Sequence, residues 1–131
     1  MMRWYGAICA AVFAAFAFVQ LNDPDSLPWV IGYGALALHF LAMTFGYAKR
    51  PLFWAGAMLS LVICAWYSPS IVEFLFNSDG MGFSNSMSFS YPYIEETREA
   101  LGLFIAAIMQ LIAIRLLPHE KIDDSELHIP V

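Results

Sequence analysis

Two short polar runs carry the side chains of this chain best suited to chemistry: Asn22-Asp23-Pro24-Asp25-Ser26 and Glu95-Glu96-Thr97-Arg98-Glu99. Oxygen-rich groups of this kind ligate hard cations, pair with a guanidinium, or exchange protons with a bound substrate. In a helix, Glu95 and Glu99 lie four residues apart and share a face, and Arg98, three residues on, can fold onto Glu95. Carboxylates in a first turn also suit the positive end of a helix. The 22–26 run reads as a turn, because Asn and Asp bond their own backbone and Pro24 pushes residue 23 out of the helical region. Asp25 or Ser26 can cap a following helix, with Pro28 tolerated in its first turn.

If the two runs meet, five carboxylates and one guanidinium gather at one end of the molecule, and three readings stand open. One is a polar clamp, with Arg98 holding Asp23 or a glutamate in a bidentate pair. A second is a calcium or magnesium site with Asn22, Asp23, Asp25, Glu95 and Glu99 as oxygen ligands, although no calcium-loop spacing is present. A third is a pocket for a polar ligand or lipid headgroup, roofed by the 77–93 loop, with a cap glutamate as general base. No nucleophile accompanies it.

The elements that must position these groups are apolar. The chain has 131 residues, 60% hydrophobic and 13% charged, against about 25% charged in soluble domains. Its charge-free stretches suit lipid as solvent. Spans are expected at about 4–21, 28–47, 52–67 and 94–117. The expected fold is therefore all-α: an integral membrane four-helix up-down bundle over residues 1–118, with a long outer loop between the third and fourth helices and an acidic cytoplasmic tail, 119–131. The first run also has signal-peptide features, but its phenylalanines and its alanines at 7, 11 and 15 fit a retained, closely packed helix better. Ser68-Pro69 breaks the third span, and 70–76 is expected as an interfacial helical turn.

Arg3, Lys49, Arg50, Arg115 and Lys121 fall on one side of alternating spans and only Arg98 on the other, which makes both termini cytoplasmic. The 22–26 turn and the start of the fourth helix then share the outer face. Trp29 and Trp66 should mark that face, and Trp4 and Trp54 the inner one. His39 and Gln110 fall near mid-membrane, where polar groups are costly, and are expected to bond across helices, or His39 to a carbonyl. Cys9 and Cys64 lie in apolar runs with no metal or redox spacing. A net charge of −5 with six Lys and Arg excludes a nucleic-acid partner. Membrane lipid is the expected partner, with a protein partner or a homo-oligomer compatible with the sequence. No Walker loop, dinucleotide fingerprint, HExxH or GxSxG element occurs.

Two segments are similar to a known family. Phe18-Val19-Gln20-Leu21-Asn22-Asp23-Pro24-Asp25, followed by Trp29 and Tyr33, resembles the first motif of the transmembrane protein 220 family. Glu95-Glu96-Thr97-Arg98-Glu99, followed by Gly102-Leu103, resembles its second motif, with Thr97 where that family's pattern is closer to glycine. The resemblance implies a small four-span membrane protein and adds Gln20 and Glu96 to the candidate site of Asn22, Asp23, Asp25, Glu95, Arg98 and Glu99. It implies no particular activity. The function expected is a non-enzymatic membrane protein whose polar cap binds an ion or polar ligand or docks a partner. The alternatives are an intramembrane enzyme acting on a lipid or small polar substrate, and a structural subunit of a larger membrane complex.

Overall fold

The computed structural model describes residues 1–23, 25–77 and 92–118. Among these residues the chain is all-helical, with no strand. Helix α1 spans Met2–Val19 and runs into a 3-10 turn, Gln20–Asn22. Then come α2 (Ser26–Phe45), α3 (Arg50–Trp66), α4 (Ser68–Asn77) and α5 (Pro92–Leu116). Three helical stretches are long and apolar enough to cross a membrane: Met2–Asn22, Ser26–Phe45 and Pro92–Leu116. Counting α3 and α4 together as one bent span makes four.

Local chemistry sets the helix ends. Helix α2 stops at Phe45, short of the expected 47, because Gly46 takes the left-handed conformation at φ 83°. From there the Tyr47 N–H donates to the Ala42 carbonyl at 2.9 Å, closing the end as glycine C-caps do. Helix α3 opens with Pro51 in its first turn, where no N–H is needed. Helix α3 ends at Trp66, so the break expected at Ser68-Pro69 is present. The chain bends by 46° there and resumes at once as α4, because a proline in the first turn of a new helix forfeits no intrahelical bond. The 70–76 stretch is thus part of a ten-residue helix. At the other end of the expected outer loop, Pro92 and Tyr93 already belong to α5. Residues 78–91 of that loop and the 119–131 tail lie outside the described residues.

The helices pack as two tight pairs, α1 with α2 and α3 with α5, and α4 rests on α5. Both pairs are antiparallel. Gly6, early in α1, abuts Phe40 and Thr44, late in α2, while Phe16 meets Tyr33 ring to ring at 5.5 Å. In the second pair, the Cys64 thiol donates to the Ala100 carbonyl at 3.4 Å, and Gln110 donates to Ser60 Oγ at 3.3 Å. The buried rings of Phe13, Phe40 and Phe53 join α1, α2 and α3, at 5.5 and 5.0 Å between successive centroids. The Tyr5 hydroxyl donates to the Met109 carbonyl at 2.7 Å, tying α1 to α5. Small residues line the buried face of α5, with Ala100, Ala106, Ala107 and Ala113 all enclosed. Lipid gives helices little hydrophobic reason to associate, so close backbone approach has to supply the contact energy.

That approach is tightest at Gly6. A methyl there would stand 2.8 Å from the Phe40 carbonyl oxygen and 3.0 Å from the Thr44 nitrogen. Backbone atoms cannot move aside, so Gly6→Ala should cost about 1–3 kcal/mol. A methyl at Gly34 meets nothing within 4 Å, so Gly34→Ala should cause no loss. Thermal unfolding of the two variants in detergent checks the contrast.

Candidate functional site

Asp25 occupies the N-cap position of α2, but its side chain makes no capping hydrogen bond. It turns instead toward α5. One carboxylate oxygen each from Asp25, Glu95 and Glu99 lie within 4.8 Å of one another. Glu95 and Glu99 are on successive turns of α5, so one helix face supplies two of the three groups. Asp25 is exposed, Glu95 half-buried and Glu99 buried at 6% relative exposure. The knot therefore has a wet side and a dry side. Like charges this close repel, and more so where water is excluded, unless positive charge sits among them.

The other candidates do different things. Glu96 turns to α4 and accepts a hydrogen bond from the Ser70 hydroxyl. Thr97 is buried, with its hydroxyl 2.6 Å from the Tyr93 carbonyl and 3.1 Å from the Ser70 carbonyl. Glu96 and Thr97 thus fasten α4 to α5 at Ser70, a residue the sequence did not single out. Tyr67, at the bend, was missed too, and its hydroxyl stands against Glu99. An aromatic hydroxyl one residue before Ser-Pro was the available signal for both.

Arg98 forms no ion pair among the described residues, and its buried Nε has no hydrogen-bond partner. The bidentate clamp is not made. Arg98 acts on Asp23 through its field: burial raises the Asp23 carboxyl above its ordinary range, Arg98 pulls it back, and Asp25 pushes it up again. Gln20 also keeps a buried Oε1 without a partner. Gln20 and Arg98 line a cavity of about 270 Å³ with Phe16, Tyr33 and Gly102. Asn22 is exposed at the end of the 3-10 turn. The structure thus joins Asp25, Glu95 and Glu99, and leaves Gln20, Asn22, Asp23, Glu96 and Arg98 outside that knot.

The two deep polar groups do not bond each other; His39 bonds the Lys49 backbone instead, the other arrangement expected for it. Gln110 is fully buried and spends both amide protons within its own helix pair, on Ser60 Oγ and on the Ala106 carbonyl at 3.1 Å. His39 lies flat on Phe53, with ring centroids 3.8 Å apart. Both line a cleft of about 670 Å³ that reaches Asp25 and Tyr67 at its other end.

A family model described as transmembrane family 220, helix, matches residues 12–115. The chain belongs to that family. The matched region of this family 220 protein takes in both polar runs, the end of α1, all of α2, α3 and α4, and α5 but for its last residue. No curated protein and no solved structure matches the chain. Membership, with the apolar helices, makes it a membrane protein, and the family brings no defined activity with it.

Asp23 gives a pH test of this electrostatic picture. A carboxyl raised in the folded state favours folding below its unfolded pKa, and that contribution fades as pH rises through its folded pKa. Asp23→Asn has no such loss. Its melting temperature should match wild type near pH 4 and stand slightly above it at pH 7. The gain should stay under about 1 kcal/mol, because the side chain is partly solvated. Melting curves across that range decide it.

Proposed function

We propose that this membrane protein binds a divalent cation, calcium in particular, between Asp25, Glu95 and Glu99. The observation that carries the reading is the mutual approach of three carboxylate oxygens within 4.8 Å. Calcium bonds oxygen at about 2.3–2.6 Å, so ligands on opposite sides of one ion stand about 4.6–5.2 Å apart. Three oxygens this close can all reach one ion without rearranging the helices. Magnesium, with bonds of about 2.0–2.1 Å and strict octahedral geometry, needs a tighter set. Asp25 is exposed, leaving room for the waters that complete a calcium shell. Glu99 is buried beside Tyr67, which holds the inner ligand still. Asp23 and Arg98 would set the charge around the ion rather than ligate it, and Asn22 would stand outside the shell.

The finer architecture belongs to this proposal. In it, α3 and α4 form one bent span, four spans run up and down, and 78–91 joins the last two outside. Both termini face the cytoplasm of a bacterial inner membrane or its equivalent, the 119–131 tail among them. The distribution of Lys and Arg supports that orientation, and the ion site then faces outward.

A second reading, an intramembrane enzyme with Glu99 as general base, gains one observation. The long cleft reaches Asp25 and Tyr67, so a bound lipid or polar substrate would end beside the carboxylates.

Calcium should raise the melting temperature of the full chain in detergent, equivalent to about 2.7 kcal/mol at a hundredfold excess over Kd. Glu99→Gln and Asp25→Asn should abolish the shift, whereas Asp23→Asn should retain it. Identical melting curves with calcium, magnesium and chelator would refute the cation site.

A further inference from the structure

The strongest unabsorbed feature is the cleft between α2 and α3. It exists because α2 packs on α1 while α3 packs on α5, leaving the faces between them apart. Its volume, about 670 Å³, is in the range of small-molecule sites, about 300–1,000 Å³. It is also long. Asp25 and His39 both line it, and their separation in sequence corresponds to about 21 Å along α2. Leu36 of α2 and Leu59 and Ile63 of α3 give it apolar walls. The end at Asp25 is aromatic and charged instead.

At that end Trp29 of α2 and Tyr67, at the bend after α3, line the cleft together with Asp25. The two rings stand 6.3 Å apart between centroids, and Trp29 meets Tyr33 at 6.1 Å. Trp29 and Tyr67 are half-buried and Asp25 is exposed, so all three present surface to a guest. Asp25 makes no capping hydrogen bond, which leaves its carboxylate available. Glu99, Glu96 and Asp25 all act electrostatically on Tyr67, whereas the Arg98 charge is felt at Asp23 and Glu95. The mouth of the cleft is thus negative as well as aromatic. Carboxylates attract any cation, but aromatic rings beside them favour an organic ammonium.

We propose that the α2–α3 cleft binds a single-chain ammonium amphiphile, its ammonium at Asp25 against Trp29 and Tyr67 and its alkyl chain along Leu36, Leu59 and Ile63. A metal ion or a small free amine leaves the apolar length of the cleft unfilled. A neutral chain of the same shape leaves the charged end unanswered. A phospholipid with a choline or ethanolamine head brings a phosphate up to the carboxylates, where like charges repel. The chemistry therefore selects a positive head without a phosphate. The proposal rests on neither the cation site nor the enzyme reading, since it needs only the Asp25 carboxylate, the rings and the cleft.

Trp29 offers the readout, because it lines the head end of the cleft, while Trp4, Trp54 and Trp66 are exposed and replaceable by Phe. In that Trp29-only protein, kept as the full chain in non-ionic detergent with chelator, N-dodecylpyridinium should quench fluorescence saturably, since a pyridinium quenches indole on contact. Dodecyltrimethylammonium and dodecylamine should both displace it, and their relative strength separates quaternary from primary heads. Dodecanol should need roughly tenfold more, the combined worth of one surface charge pair and one ring contact. Tetramethylammonium, a head without a chain, and dodecylphosphocholine should each need at least as much as dodecanol. Asp25→Asn should weaken the pyridinium roughly fivefold. Gly32→Leu fills the cleft from a position where an added carbon meets nothing within 4 Å, so it should keep the melting temperature and lose the quenching.

Dodecanol as effective as dodecyltrimethylammonium overturns the proposal, since it means unspecific filling by apolar chains. Tetramethylammonium as effective overturns it by reducing the site to a head pocket, and dodecylphosphocholine as effective by admitting a phosphate. So does undiminished quenching in Gly32→Leu, which puts the guest outside the cleft. A dimer by native mass spectrometry that Gly32→Leu abolishes also overturns it, by giving the cleft to a second copy of the chain. With chelator present throughout, these results read the same whether or not calcium binds the knot.

Discussion

A chain dissolved in lipid has to satisfy its polar atoms from within, and that constraint orders everything else here. The helices take care of the backbone. Side chains are harder, and most of those that are buried show how the demand is met. Thr97 reaches the carbonyls of Tyr93 and Ser70, Gln110 joins Ser60 to its own helix, and Tyr5 finds the Met109 carbonyl. Against that background the exceptions carry meaning. Glu99 is buried next to two other acids. Gln110 Oε1, His39 Nε2, Gln20 Oε1 and Arg98 Nε lack partners. Each of these exceptions lies beside a cavity or at the carboxylate knot, where something from outside the chain can complete it.

Pairing explains where the cavities fall. Glycine lets α1 approach α2 to backbone contact, and Gly56 of α3 leaves room for the Gln110 side chain of α5. The two pairs then meet through larger side chains: Phe13, Phe40 and Phe53 on one side, Tyr33 against Gly102 on the other. Rings stacked this way brace the pairs apart as well as together, and the space between α2 and α3 follows. The same arrangement carries the start of α2 to the first turns of α5, so the cleft and the knot share Asp25 and Tyr67 as neighbours.

Much of this was legible in the sequence. Charge-free runs marked the helices, and the four-residue spacing of Glu95 and Glu99 marked their common face. Alternating spans put Asp25 opposite them. Other features were not legible, for physical reasons. Asp23 and Asp25 are two residues apart on a turn, and turn geometry, not spacing, sends one toward Arg98 and the other toward Glu99. Ser70 and Tyr67 gain their roles from the 46° bend, and Pro69 alone does not say whether a helix stops or merely turns. Arg98 looked like a clamp because a guanidinium three residues from a carboxylate can reach it, but it forms no ion pair among the described residues. The cleft depends on which helices pair, and amphipathic periodicity, weak in lipid-solvated helices, does not encode that.

The two pairs differ in how far apart their members lie along the chain. Helices α1 and α2 are joined by a few residues, whereas α3 must wait for α5, beyond α4 and the segment after it. Short loops close at the lowest entropic cost, so during synthesis the first hairpin assembles while α5 is still to be made. Asp25 then waits at the membrane surface as a lone, hydrated acid. The three carboxylates come together only when the last helix docks, which makes their mutual repulsion an obstacle to the final step of biogenesis and a counter-ion its natural helper.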